Sequence, residues 1–239
     1  MEMALTAPVD GLMAGYRAAD EPQQRLVAAA VACIARWGVA KTSLDDIARE
    51  AGLSRATVYR ALPGGKDRLL ALVLGHEVGR FFHEVDADLA GATDLSDLLT
   101  RGVGRALVCF ADHPALRTLL RQEPELILPH FAFNRLDRLL AVTTELGRPH
   151  LGRFLPEEAI RPTAEWCARL VLTLTIHPLP GFDPHDRDAV ARLVDTYVIP
   201  SSRPARPPPP PPGTRCPAAG PPAGRGRPRR SPRGPRRRP

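Results

Sequence analysis

TSLDDIAREAGLSRATVYRALPGGKDRLLALVL, residues 42–74, is punctuated as two short helices followed by the start of a long one. Ser43 with Asp46 three positions on is close to a capping box, in which two side chains satisfy N–H groups that a first helical turn leaves unpaired. Leu44, Ile47, Ala48 and Ala51 then share one helical face. Gly52 ends that helix, because glycine turns the chain through positive φ without a Cβ clash. Ser54 is placed to cap the next helix, Arg55 to Leu62, whose inward residues are Val58 and Leu62. Pro63-Gly64-Gly65 stops it, and Lys66 begins a helix that runs to about Ala87.

Working outward, Leu26, Ala30, Cys33, Ile34 and Trp37 recur at helical spacing, with Gly38 where a helix C-terminus is expected. Downstream, residues 95–112, 114–121, 125–146, 156–177 and 186–198 read as further helices divided by Pro, Gly or short polar breaks. No run alternates strictly enough for a half-buried strand. The expected fold is all-α. A flexible lead-in covers 1–21, a helix-turn-helix head 22–70, a larger helical body 71–199, and a disordered Pro/Arg-rich tail 200–239.

The charge follows the same division. Residues 22–70 carry eight basic and four acidic side chains, whereas 71–199 carry 13 basic and 18 acidic. Residues 200–239 add eleven Arg, fifteen Pro and no acid, so the net +7 of the 239-residue chain comes from its tail. No apolar run is long enough to cross a membrane, and an acid at position 2 argues against a secretion signal. A cytoplasmic, nucleoid-associated protein is expected. Cys33, Cys109 and Cys167 lie in apolar helical surroundings and read as reduced packing residues.

Two helices joined by a tight glycine turn, with Leu44, Ile47, Leu53, Val58 and Leu62 facing inward, leave Arg55, Ala56, Thr57, Tyr59, Arg60 and Ala61 pointing out. Such a face suits a DNA major groove, which admits one helix and is read by its N-terminal side chains. The N-terminus near Ser54 also offers partial positive charge to phosphate. At this point the sequence resembles the N-terminal domain of the tetracycline-repressor (TetR) family. The marks are Thr42, Asp46-Ile-Ala48, Ala51-Gly-Leu-Ser54, Thr57-Val-Tyr59 and the Pro-Gly-Gly-Lys66 link. The resemblance implies that Thr42, Tyr59 and Lys66 hold phosphates, that Arg55, Ala56 and Thr57 read bases, and that Arg60 lies near the backbone or a base edge. Ser54 belongs to the same surface. Ala61 departs from the family pattern, which commonly has a larger polar or aromatic residue there, and leaves Arg55 and Thr57 as the principal readers.

The resemblance further implies a transcriptional regulator, a repressor released from a palindromic operator in double-stranded DNA by a small-molecule effector. It also implies a homodimer formed through the last two long helices. For that dimer the stripes are Trp166, Leu170, Leu174 and His177, and Val190, Leu193, Val194, Tyr197 and Val198. For the pocket, Phe110, His130, Phe131, Phe133 and Trp166 are candidates by elimination, and the few charges on those faces point to a hydrophobic effector.

Rival chemistry is sparse. His76-Glu77 begins like HExxH but has Arg80 at the fifth position, so the second zinc ligand is missing. There is no P-loop and no GxSxG, and neither an enzyme nor a cofactor is expected. The tail leaves three readings open: extra DNA affinity through counterion release, a proline-rich protein ligand, or an incidental GC-rich extension, which is slightly favoured. The alternative function is a nonspecific or architectural DNA-binding protein driven by that tail.

Overall fold

The computed structural model describes residues 21–127 and 134–202, and its elements are helices throughout. They are α1 (Glu21–Lys41), α2 (Leu44–Glu50), α3 (Arg55–Ala61), α4 (Gly65–Ala90), α5 (Leu95–Asp112) and α6 (Pro114–Gln122). There follow α7 (Pro124–Ile127), α8 (Asn134–Leu151), α9 (Glu157–Ile176), α10 (Arg187–Tyr197) and α11 (Ile199–Ser202).

The local signals explain where these helices begin and end. Ser43 Oγ accepts the Asp46 N–H at 3.2 Å while the Asp46 carboxylate accepts the Ser43 N–H at 3.2 Å, a complete capping box for α2. Ser54 Oγ accepts the Thr57 N–H at 3.1 Å and starts α3. Two seven-residue helices are too short to persist alone, so caps worth about 1 kcal/mol each and burial of one face must hold them. Gly52 turns between them at φ 64°, and the Arg25 guanidinium reaches over it to the Ala51 carbonyl at 2.6 Å.

Two apolar cores result. The first gathers Leu26, Ala30 and Cys33 of α1, Ile47 and Ala48 of α2, Val58 of α3, and Leu69 and Val73 of α4. Trp37, expected on the same stripe, stands outside this cluster, 41% exposed, beneath the Arg36 guanidinium. Here α1 is interrupted: Gly38 takes φ 79° and ψ 173°, and the indole lies in the last turn before that break, past the end of the core. The second core gathers Phe82, Val85 and Leu89 of α4 with buried faces of α5, α8, α9 and α10. At 26 residues, roughly 39 Å, α4 reaches from one core into the other, so residue 70 falls on a continuous helix.

Two expectations need correction. The helix expected over 125–146 is two elements: α7 ends at Ile127, residues 128–133 lie outside the described ones, and α8 continues past Leu146 to Leu151. The stripes assigned to a dimer are mostly spent within the chain, since Leu174, Val190, Leu193, Val194 and Val198 are buried in the second core. Trp166 (44% exposed) and Tyr197 (58% exposed) remain outside, joined by an indole N–H donated to the Tyr197 carbonyl at 2.8 Å. The expectations for 1–20 and 203–239 lie outside the described residues. Among the described residues no helix is long and apolar enough to cross a membrane.

Candidate nucleic-acid interface and interior cavity

Val58 of α3 is fully buried and anchors the helix to the first core. Ser54, Arg55, Ala56, Tyr59 and Arg60 are exposed, Tyr59 by 54%, and Thr57 is half-buried. Ser54 and Thr57 also share a hydroxyl–hydroxyl contact of 2.8 Å, so both are oriented before any partner arrives. Arg55 pairs with Asp45 of α2 at 3.0 Å. A carboxylate that the sequence reading passed over thus steadies the principal base-reading candidate. At this exposure such a pair is worth about 0–1 kcal/mol, so the guanidinium can exchange Asp45 for a stronger bidentate acceptor. Arg36 and Glu50 brace α1 to α2 through two contacts of 2.8 and 3.0 Å.

Two phosphate candidates sit differently from expectation. Thr42 is only 2% exposed, and its hydroxyl donates to the Gly38 carbonyl at 2.6 Å. A hydroxyl so placed has no surface to give a phosphate; it pins the link between α1 and α2 instead. Lys66, half-buried at the start of α4, donates from Nζ to the Val39 carbonyl at 2.5 Å. An ammonium has three donors, so this contact positions the lysine without consuming it.

The body holds an apolar cavity of about 120 Å³ between α4, α5, α8 and α9. Its walls include Phe81, Phe82, Val103, Phe110, Leu139 and Val171. Polar side chains there are few: Thr143, Cys167 and His150. Thr143 donates its hydroxyl to the Leu139 carbonyl, and burial pushes the Cys167 thiol up to about 12, so it stays neutral. His150 Nε2 lies 2.8 Å from Asp86. Of the five pocket candidates, Phe110 lines this cavity. Trp166 does not, because it faces outward on α9, and His130, Phe131 and Phe133 lie outside the described residues.

An ion cluster buttresses the helices beside the cavity. His113 caps α6 by accepting the Leu116 N–H at Nδ1, so its Nε2–H donates to Glu77 of α4 at 3.2 Å. Arg80 adds 2.8 and 3.0 Å contacts to the same carboxylate. Burial pushes the Glu77 carboxyl up, but the hydrogen bonds from His113 and Arg80 outweigh it and hold it at about 2. Cys109 donates its thiol to Glu84 at 3.2 Å, and burial with that neighbouring carboxylate raises it to about 12. Among the described residues no group of three or more His, Cys, Asp or Glu is gathered as a metal site would need.

Comparison with known proteins follows this division. Residues 26–73 match the family of bacterial regulatory proteins, tetR family. An uncharacterised HTH-type transcriptional regulator of Mycobacterium bovis is 36% identical over 64 residues, 27% of this chain and 33% of that protein. The match thus spans about a third of the length of that curated relative. A second such regulator, from Mycobacterium tuberculosis, is 25% identical over 185 residues, covering 76% of this chain and 88% of that one. Among solved structures, the fatty acid degradation regulator FadR from Bacillus halodurans shares the fold, with a TM-score of 0.55 at 21% identity over 74% of this chain and 95% of that one. The match falls on the capped helix pair and its core, so the head, residues 26–73, is similar to bacterial regulatory proteins of the tetR family.

Proposed function

We propose that the chain is a sequence-specific DNA-binding transcriptional regulator, a repressor that leaves a palindromic operator when a small apolar molecule fills the body. The observation that carries this is the outer face of α3: Arg55, Tyr59 and Arg60 exposed around a fully buried Val58, on a helix capped at its N-terminus by Ser54. A helix so presented inserts into a major groove, with Arg55 and Thr57 at base edges and Tyr59, Arg60 and Lys66 toward phosphates. A homodimer would set two such helices about 34–36 Å apart, one duplex turn. The exposed Trp166 and Tyr197 on α9 and α10 support that assembly.

The cavity walls support the effector class. Three polar side chains among many apolar ones leave no fixed charge to pair with an ionised ligand, so a hydrophobic molecule with at most one polar group, set near His150, fits best. Release requires only that the ligand favour one conformer by a few kcal/mol.

The test is selection of random duplex DNA by the full chain at about 150 mM salt, a concentration at which charge alone retains little. A palindromic consensus is expected. Retention without any consensus would overturn the reading in favour of a nonspecific binder driven by the basic tail.

A further inference from the structure

The break in α1 is held from two sides by side chains that are distant in sequence. After Gly38 the chain restarts a helical turn, and the N–H groups of Val39 and Ala40 point forward as unpaired donors would at any helix start. Both donate to one carboxylate: Val39 N–H to Glu123 Oε2 at 2.6 Å and Ala40 N–H to Glu123 Oε1 at 2.8 Å. Glu123 is itself immobilised. Its N–H donates to the Leu119 carbonyl at 2.9 Å, closing α6, and Pro124 follows, which keeps residue 123 out of the helical region. Gly38 is the residue that permits this approach, since a Cβ there would stand 3.0 Å from the carboxylate atoms and at φ 79° besides.

On its other side the same short link is bound to the head. The Val39 carbonyl takes the Lys66 ammonium, the Gly38 carbonyl takes the Thr42 hydroxyl, and Ser43 then opens the capping box of α2. A second bond crosses nearby, from the Thr118 hydroxyl of α6 to the Ala35 carbonyl of α1 at 2.7 Å. The elements that meet here both lead to the cavity. α4 begins at the Lys66 contact and lines the cavity with Phe81, Phe82, Val85 and Leu89. α5, which lines it from Leu98 to Phe110, runs through His113 directly into α6 and so into Glu123.

We infer that Glu123 is a positioning residue for DNA binding: its carboxylate fixes the 38–42 link and thereby sets the attitude of α2 and α3. This rests on the reading of α3 as the DNA-facing helix. A two-point, charge-assisted grip on backbone amides resists rotation of the link as a single bond cannot. A displacement of α5 and α6 by a cavity ligand would reach the head through this carboxylate together with the Thr118–Ala35 bond.

The experiment compares the full chain with its Glu123→Gln variant, which keeps the side-chain size but loses the charge and one acceptor oxygen. Two readouts are taken: amide exchange at Val39 and Ala40, and affinity for the selected operator against random duplex. Exchange at those two amides is expected to accelerate at least about tenfold, while amides in the body core keep their rates. Operator affinity is expected to fall about tenfold with random-duplex affinity unchanged, because the loss is one of attitude and not of charge contacts. Gly38→Ala attacks the same grip from the opposite side and should reproduce the loss. Faster exchange at both amides with operator affinity unaltered would overturn the inference alone. Absence of operator preference in the unaltered chain would overturn the functional reading, and this inference with it.

Discussion

The head and the body of this protein use the same material, helices packed by one apolar face, toward opposite ends. In the head the core is small and filled, Val58 and Leu69 being fully buried, and what distinguishes it is the surface left over: a seven-residue helix with Arg55, Tyr59 and Arg60 outside. In the body the surface is ordinary and acidic, and the distinguishing feature is interior, an apolar void between α4, α5, α8 and α9. A surface site needs rigidity beneath it, which explains the caps, the glycine turn and the braces from Arg25 and Arg36. The walls of that void are long helices joined by ion pairs at their edges.

The contrast can be broken most severely at the head's core. Val58→Asp places an unpaired carboxylate where no water reaches, at a cost of at least about 4 kcal/mol. Calorimetry should show unfolding at a strongly lowered temperature, and DNA binding lost with it. Next in size is the body's acid response. Glu77 is held near 2 against an ordinary value of 4.5, so its contribution is present above about pH 4.5 and is lost as pH falls toward 2. That contribution is roughly 3 kcal/mol, and denaturant titrations from pH 7 down to pH 2 should show it fading, with the profile flattened in Glu77→Gln.

Smaller effects sharpen the comparison. Arg55→Ala should relax preference at one base step per half-site by about 1–3 kcal/mol, whereas Arg60→Ala should weaken all duplexes alike and lower the salt dependence. Competition binding across single-base operator variants separates the two. Ser54→Ala removes the cap of α3 and should cost about 1 kcal/mol of stability, measured by urea unfolding, without changing which bases are preferred. A changed preference would mean that Ser54 itself reads DNA.

The head was legible because its signals are local. Ser43 with Asp46, Gly52 and Ser54 each act within four residues, and each stands in the structure as the spacing predicts. Errors arose where a role depends on what lies across the fold. Thr42 turned inward because a carbonyl at Gly38 was waiting for it, and Trp37 turned outward because the helix breaks one residue later. In the body, periodicity marked apolar faces but not which neighbour each would meet, so most of the stripe assigned to a second copy, Leu174, Val190, Leu193, Val194 and Val198, lies in the chain's own core. A void has no residue of its own, and Trp166, a candidate by elimination among aromatic and polar residues, is not on its wall. Glu123 gave no sign at all, its partners being 83 and 84 residues away.

The central claim is that DNA is read by the exposed face of α3, with the body acting through the link at 38–42. Hydrogen exchange of the full chain, free and bound to its selected operator, tests it most directly. The account predicts new protection over residues 54–66, extending weakly to 38–42, with the cavity helices little changed. Protection confined to the basic tail, leaving residues 54–66 exchanging as in the free chain, would contradict it.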